Sequence, residues 1–173
     1  MASKKETVAQ WFDHFGNDIY HFLIYRTNVN IAEDLLQEVF IKALKGFKYF
    51  KGKSHPKTWL FSIARNVAID ELRKKRAKNS EKVLPFEKND SVYTEETPES
   101  MLHFNEETKV IYNNIQQLRE NYRDVIILRS IQDLSVTETA RVLKWSESKV
   151  TSTHYRARIA LIEKIRRFEE DAK

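Results

Sequence analysis

The five histidines, His14, His21, His55, His103 and His154, are the first residues to test for metal binding or proton transfer. Asp18 and His21 stand three residues apart, which puts them on one helix face. A helical metal site needs a matching Glu-x-x-His on a partner helix, and the chain offers none. Each histidine therefore reads as an ordinary surface or boundary residue. The chain has no cysteine, which excludes thiol catalysis, disulfide frameworks and cysteine-ligated zinc. What remains is recognition chemistry. Phe47-Lys48-Tyr49-Phe50-Lys51-Gly52-Lys53 interleaves cations with rings, and Lys57-Thr58-Trp59-Leu60-Phe61 extends the pattern toward the basic run Arg73-Lys74-Lys75-Arg76. Cations hold phosphates and ring faces stack on bases, which is what single-stranded nucleic acid requires. The competing reading makes Trp59 and Phe61 core and the lysines merely solubilising. Farther along, Lys149, Thr151, Ser152, His154, Arg156 and Arg158 could read base edges and bridge phosphates. Finally, Asp34 and Glu38 form a like-charged i, i+4 pair, which costs a helix a few tenths of a kcal/mol. A basic protein partner would relieve it, and a solvated face would carry it equally well.

These groups have to be positioned, and the apolar spacing predicts helices throughout. Trp11, Phe12, Phe15, Ile19, Phe22 and Leu23 recur at steps of three and four over Thr7–Arg26. Asn30-Ile31-Ala32-Glu33 has capping-box spacing and opens a second helix to about Lys45, with Leu35, Leu36, Val39, Phe40 and Leu44 buried. Pro56 suits the first turn of a third, running to about Ala77 with Leu60, Ile63, Ala64, Val67 and Leu72 inward. Further helices are expected over Glu99–Arg119 and Tyr122–Ser130. Ser135-Val136-Thr137-Glu138 is a second capping box, opening a short helix that ends at Leu143. Lys144-Trp145-Ser146 makes a turn, and Ser146 caps a last helix to about Phe168. Short helix, tight turn and longer helix form the outline of a helix-turn-helix at about 136–155. An ordinary helical hairpin has the same pattern.

The 173 residues leave room for one ordinary domain or two small ones, and charge favours two. Residues 1–76 carry a net +6, residues 77–110 a net −4 and residues 111–173 a net +3. We expect an N-terminal helical domain over 1–77, a flexible acidic linker over 78–100 and a C-terminal domain over 101–173. The linker reaches about 80 Å when extended, so the domains can sit well apart. Three glycines and three prolines count against a turn-rich β fold, and the fold class expected is all-α. No apolar run spans a bilayer, and the polar start Met1-Ala2-Ser3-Lys4-Lys5-Glu6 leads into no signal-like stretch. A soluble cytoplasmic protein without membrane insertion is the expectation.

Four segments taken in order resemble one family. Ala32-Glu33-Asp34-Leu35-Leu36-Gln37-Glu38-Val39-Phe40, then Lys57-Thr58-Trp59-Leu60-Phe61-Ser62-Ile63-Ala64-Arg65-Asn66, then Tyr122-Arg123-Asp124-Val125-Ile126-Ile127-Leu128-Arg129, and the helix-turn-helix ending Tyr155-Arg156-Ala157-Arg158 are similar to the bacterial RNA polymerase sigma factors of the two-domain extracytoplasmic-function group. The resemblance covers nearly the whole chain apart from the linker.

The resemblance implies a non-enzymatic promoter-specificity subunit without cofactor or metal, monomeric when free. It implies that Asp34, Leu35, Gln37, Glu38 and Phe40 dock on the β′ clamp coiled coil of core polymerase. It implies that the loop and third helix melt and hold the non-template strand of the −10 element, with Phe50 and Asn66 at a flipped-base pocket and Lys51, Lys53 and Arg73 along the strand. Asn66 carries both donor and acceptor for such a base. Trp59 matches a family aromatic usually tied to the core. Lys149, Thr151, Ser152, Tyr155, Arg156 and Arg158 fall on the helix that reads duplex at the −35 element. An anti-sigma factor and a stress or envelope response are further implications. Two departures stand out. Lys144 occupies a turn position that favours glycine, and Thr151 and Thr153 replace cations of the recognition helix, so weaker −35 contacts are expected. A helix-turn-helix repressor or activator with an N-terminal ligand or dimerisation domain is the alternative, and a helical metal-dependent hydrolase the remote one.

Overall fold

The computed structural model describes residues 1–80 and 104–173, all of which are helical or connecting loop. The N-terminal unit is built from α1 (Lys4–Arg26), α2 (Val29–Gly46), a 3₁₀ turn (Phe47–Tyr49) and α3 (Pro56–Ser80). The C-terminal unit contains α4 (Glu106–Gln116), α5 (Glu120–Ile126), a π-helical turn (Ile127–Ile131), α6 (Val136–Leu143) and α7 (Glu147–Asp171). The all-α expectation holds across the described residues. The expected start of the fourth helix at Glu99, and His103, lie outside them.

Local chemistry explains the boundaries. Ser3 caps α1 through a full capping box: the Glu6 N–H donates to Ser3 Oγ at 3.2 Å, and the Ser3 N–H donates to Glu6 Oε2 at 2.6 Å. The helix therefore begins before Thr7. At the second helix the cap is Asn28, not Asn30. Asn28 is buried at the α1–α2 corner, and its Oδ1 accepts from the N–H groups of Asn30 and Ile31 at 2.9 and 3.3 Å. Starting the helix there satisfies a buried carboxamide oxygen, whereas Asn30 is exposed. His55 does similar work for α3, its Nδ1 accepting from the Lys57 N–H at 3.2 Å. That helix runs past the expected Ala77 to Ser80.

Phe22, Leu23, Val39, Ala43, Leu60, Phe61, Ala64 and Val67 form the buried heart of the three-helix unit, with Phe22 and Phe61 edge to face at 5.5 Å. Leu36, Leu44, Ile63 and Leu72, expected in the core, are half-buried. In the C-terminal unit Tyr112, Ile115, Val125, Ile126, Leu128, Leu143 and Val150 are buried. Ala140, on α6, is buried too. The capping box Ser135/Glu138 forms as its spacing predicts. The helix expected over Tyr122–Ser130 divides. Its end widens to a π turn in which the Gln132 N–H donates to the Ile127 carbonyl at 2.9 Å, and Asp133 follows at φ 54°.

The two units pack on each other. α1 contacts α4 and the π turn, and α6 lies on α3. Gln116 Nε2 donates to the Tyr25 carbonyl at 2.6 Å, and Tyr25 packs against Phe104 and Tyr112, which stack on each other at 5.6 Å.

Candidate nucleic-acid interface

On α2 the helical repeat sorts the expected docking residues into two sets. Asp34 and Gln37 are exposed, and Glu38 is partly exposed with Lys42 Nζ at 3.7 Å. Leu35 and Phe40 are buried, Phe40 against Phe12 edge to face at 5.0 Å. Those two side chains hold the helix in the core and do not face a partner. Period 3.6 forbids all five from sharing one face.

The loop between α2 and α3 is built on rings. Trp11 meets Phe47, Phe50 and Trp59 at 5.6, 5.1 and 5.9 Å, and Phe50 meets Trp59 at 5.1 Å. Trp59 is thus a half-buried core residue, the favoured of its two readings. Phe50 is half-buried in the same cluster and is not a free ring at the loop surface. The exposed ring is Tyr49, 69% exposed, with Lys48 Nζ 4.9 Å above it. The sequence pattern did not separate these neighbours, because a short irregular loop has no periodicity to say which ring turns outward. Lys51, Lys53, Asn66 and Arg73 are all exposed. Arg65, beside Asn66, points instead into the domain interface, where its Nε donates to Asp124 Oδ2 at 3.2 Å.

The helix-turn-helix forms as expected. Lys144 adopts φ 58°, ψ 42°, the left-handed geometry that a glycine would take without strain. Val150 is fully buried against α6, and Ser146 caps α7. Trp145 is half-buried in the turn, with Lys149 Nζ 4.3 Å above its ring. Lys149, Thr151, Ser152, Tyr155, Arg156 and Arg158 are exposed, and Tyr155 is 67% exposed. Thr153 is half-buried. Two of the hydroxyls are engaged with backbone: Thr151 Oγ1 donates to the Glu147 carbonyl at 3.1 Å and Ser152 Oγ to the Ser148 carbonyl at 3.0 Å. Glu147, not singled out by the motif, accepts from Thr137 Oγ1 at 2.8 Å and puts a carboxylate at the exposed start of α7. His154 is half-buried beside Ser130, its Nε2 2.9 Å from the hydroxyl. Burial lowers its pKa, and Arg129 and Arg158 lower it further.

A charged cluster joins the units behind these faces. Arg26 Nε donates to Asp124 Oδ1 at 2.7 Å, and both side chains are almost completely buried. Arg76 pairs with Glu120 at the cluster's edge. Burial raises the Glu120 pKa, but Arg26, Arg76 and Arg123 outweigh it and hold the carboxyl below its ordinary value. Burial, with Arg26 nearby, lowers Arg123 to about 10 against the opposing pull of Asp124 and Glu120. None of this was legible locally, because Arg26 and Asp124 lie 98 residues apart.

Both units match known proteins. Residues 11–78 match the model of Sigma-70 region 2, and residues 109–161 match that of Sigma-70, region 4. The chain is 39% identical over 155 residues to the ECF RNA polymerase sigma factor SigX of Bacillus subtilis, covering 88% of this chain and 80% of that protein. It is 31% identical over 174 residues to SigW of the same organism, covering 94% and 90%. Among solved structures, the sigma factor RpoE of Bartonella quintana, solved with the anti-sigma factor NepR, matches with a TM-score of 0.73 at 23% identity, over 91% of this chain and 96% of that one.

Proposed function

The chain belongs to the sigma-70 family of RNA polymerase sigma factors, in its extracytoplasmic-function group, and from that premise we propose how its surfaces divide the work of initiation. As a sigma factor it binds core polymerase, directs it to specific promoters and promotes melting there. Asp34, Gln37 and Glu38 dock on a basic coiled coil of the β′ clamp. Residues 1–77 act on the −10 element: Asn66 reads a flipped base, Tyr49 offers a ring face with Phe50 packed beneath the loop, and Lys51, Lys53 and Arg73 follow the strand's phosphates. Residues 101–173, joined through the segment 78–100, read the −35 element with Lys149, Thr151, Ser152, Tyr155, Arg156 and Arg158 in the major groove. The protein works in the cytoplasm as a monomer until it meets polymerase. An anti-sigma factor holds it until a stress or envelope signal arrives, a reading supported by the likeness of its fold to a sigma factor solved with such a partner.

The observation that carries this division is the chemical contrast of the exposed faces: acidic on α2, cationic and aromatic around α3, hydroxyl and guanidinium on α7. A conventional repressor needs only the last. The test is permanganate reactivity of promoter thymines. Asn66→Ala should leave core binding intact and reduce bubble reactivity, since a good bidentate hydrogen-bonded base contact is worth about 1–3 kcal/mol. Normal reactivity in this variant and in Tyr49→Ala would remove α3 and its loop from the role.

A further inference from the structure

The exposed face of α7 offers hydroxyls and cations, yet its first residue is an acid, Glu147. Ser146 already caps the helix by accepting from the Lys149 N–H at 3.1 Å. The Glu147 carboxylate reaches instead to the start of α6, where Oε1 accepts from Thr137 Oγ1 at 2.8 Å. The backbone of Glu147 is held as well, because its carbonyl accepts from Thr151 Oγ1 at 3.1 Å. The residue is therefore fixed from both helices of the helix-turn-helix. A first-turn acid also favours the helix dipole, but that role needs no partner on α6.

Helical spacing puts Glu147 on the same side of α7 as Thr151 and Tyr155, at i, i+4 and i+8, and all three are exposed. At about 1.5 Å per residue the acid stands about 6 Å before Thr151, or about two base pairs along a duplex. A carboxylate is unfavourable beside phosphates and beside most base edges. Guanine shows N7 and O6 in the major groove and thymine shows O4, all acceptors that repel it. Adenine sets its N6 donor next to the N7 acceptor. Cytosine alone shows an amino group, at N4, and no acceptor. The Thr137 hydroxyl takes only one of the carboxylate's roughly four acceptor sites, which leaves the group able to accept from a base. An acid held at this place selects one base and rejects the others.

We propose that Glu147 is a specificity-determining residue of the −35 contact, accepting from the N4 amino group of a cytosine within about two base pairs of the base that Thr151 meets, and that Thr137 positions it. The inference rests on the promoter reading above. Glu147 adds no attraction for phosphate. It acts by excluding the wrong bases.

The test uses holoenzyme assembled from core polymerase and the full chain, bound to a duplex library randomised over the promoter length. The retained duplexes are sequenced. The parent should favour cytosine over guanine at one −35 position by about five- to fifty-fold. Glu147→Ala should flatten that position and leave the others as they are. Glu147→Gln should move the preference to adenine, because a carboxamide pairs with N6 and N7 together. Thr137→Val keeps the size and charge of the site and should reduce the cytosine preference, and Thr137→Ser should restore it. Thermal unfolding by circular dichroism confirms that each variant is folded. A uniform rise in affinity for every sequence in Glu147→Ala would make the residue a repulsive surface charge and overturn the proposal. So would a parental preference in folded Glu147→Ala and Glu147→Gln. Parental preference in Thr137→Val would overturn the positioning role. A parent holoenzyme that enriches no −35 motif would count against the promoter reading instead.

Discussion

Lys144 offers a clean test of whether the turn geometry constrains this helix-turn-helix. Its backbone is left-handed, φ 58° and ψ 42°, its side chain is exposed, and its N–H closes α6 on the Ala140 carbonyl. Left-handed geometry costs a residue with a Cβ about 1–2 kcal/mol. Glycine removes that cost but gives back about 0.4–1 kcal/mol through the freedom of its unfolded chain. Lys144→Gly should therefore stabilise the protein by about 0.5–1 kcal/mol, and for a chain of this length that raises Tm by about 1–4 °C. Lys144→Val, β-branched at the same φ, should lower Tm by at least as much. Thermal unfolding of the full chain, followed by circular dichroism and calorimetry, measures both. The pair matters because the two substitutions remove the same charge and differ only in backbone preference. An unchanged Tm in both would mean that Lys144 has ordinary helical or extended geometry, and the α6–α7 crossing would then need another explanation.

Three further outcomes are expected. Trp59→Ala should destabilise the N-terminal unit by about 3 kcal/mol in chemical denaturation, because it opens the ring cluster around Trp11; a loss confined to DNA binding would return Trp59 to the nucleic-acid face. His154 is held below its ordinary value of 6.5, so it binds fewer protons folded than unfolded; its contribution is complete above about pH 6.5 and is lost as pH falls through the folded value. Between pH 7.5 and 5.5 the parent should therefore lose more stability than His154→Gln, and equal losses would contradict the burial of that ring. Asp34→Lys with Glu38→Lys should fold normally and weaken core polymerase binding by about 1.5–3 kcal/mol, read by titration of labelled protein; parental affinity would remove α2 from the docking role.

The sequence is legible where a side chain acts within a turn or two of its own position. The box at Ser135 and Glu138 follows from a spacing of three residues, and the positive φ at Lys144 is what the family resemblance implies for that turn. Legibility fails where two neighbours compete for one role. Asn28 and Asn30 are both good caps, and only the tertiary corner that buries Asn28 decides between them. Phe50 and Tyr49 are both rings in a cationic loop, and packing against Trp11 turns Phe50 inward. For Leu35 and Phe40 the periodicity and the resemblance disagree, and the burial that the helical repeat predicts is what forms, while Asp34 and Gln37 stay outside. It fails altogether for Arg26, Arg65 and Asp124, whose meeting depends on how two separately coded units pack.

Run-off transcription tests the division of labour most directly. Purified bacterial core polymerase would be supplied with a genomic library and with the parent chain, Asn66→Ala, or the Asp34→Lys, Glu38→Lys double variant. The account predicts discrete transcripts that depend on the parent chain, few from the double variant at limiting concentration with recovery at high concentration, and few from Asn66→Ala at any concentration. Parental transcript yield from both variants, each confirmed folded, would contradict the assignment of polymerase docking to α2 and melting to α3.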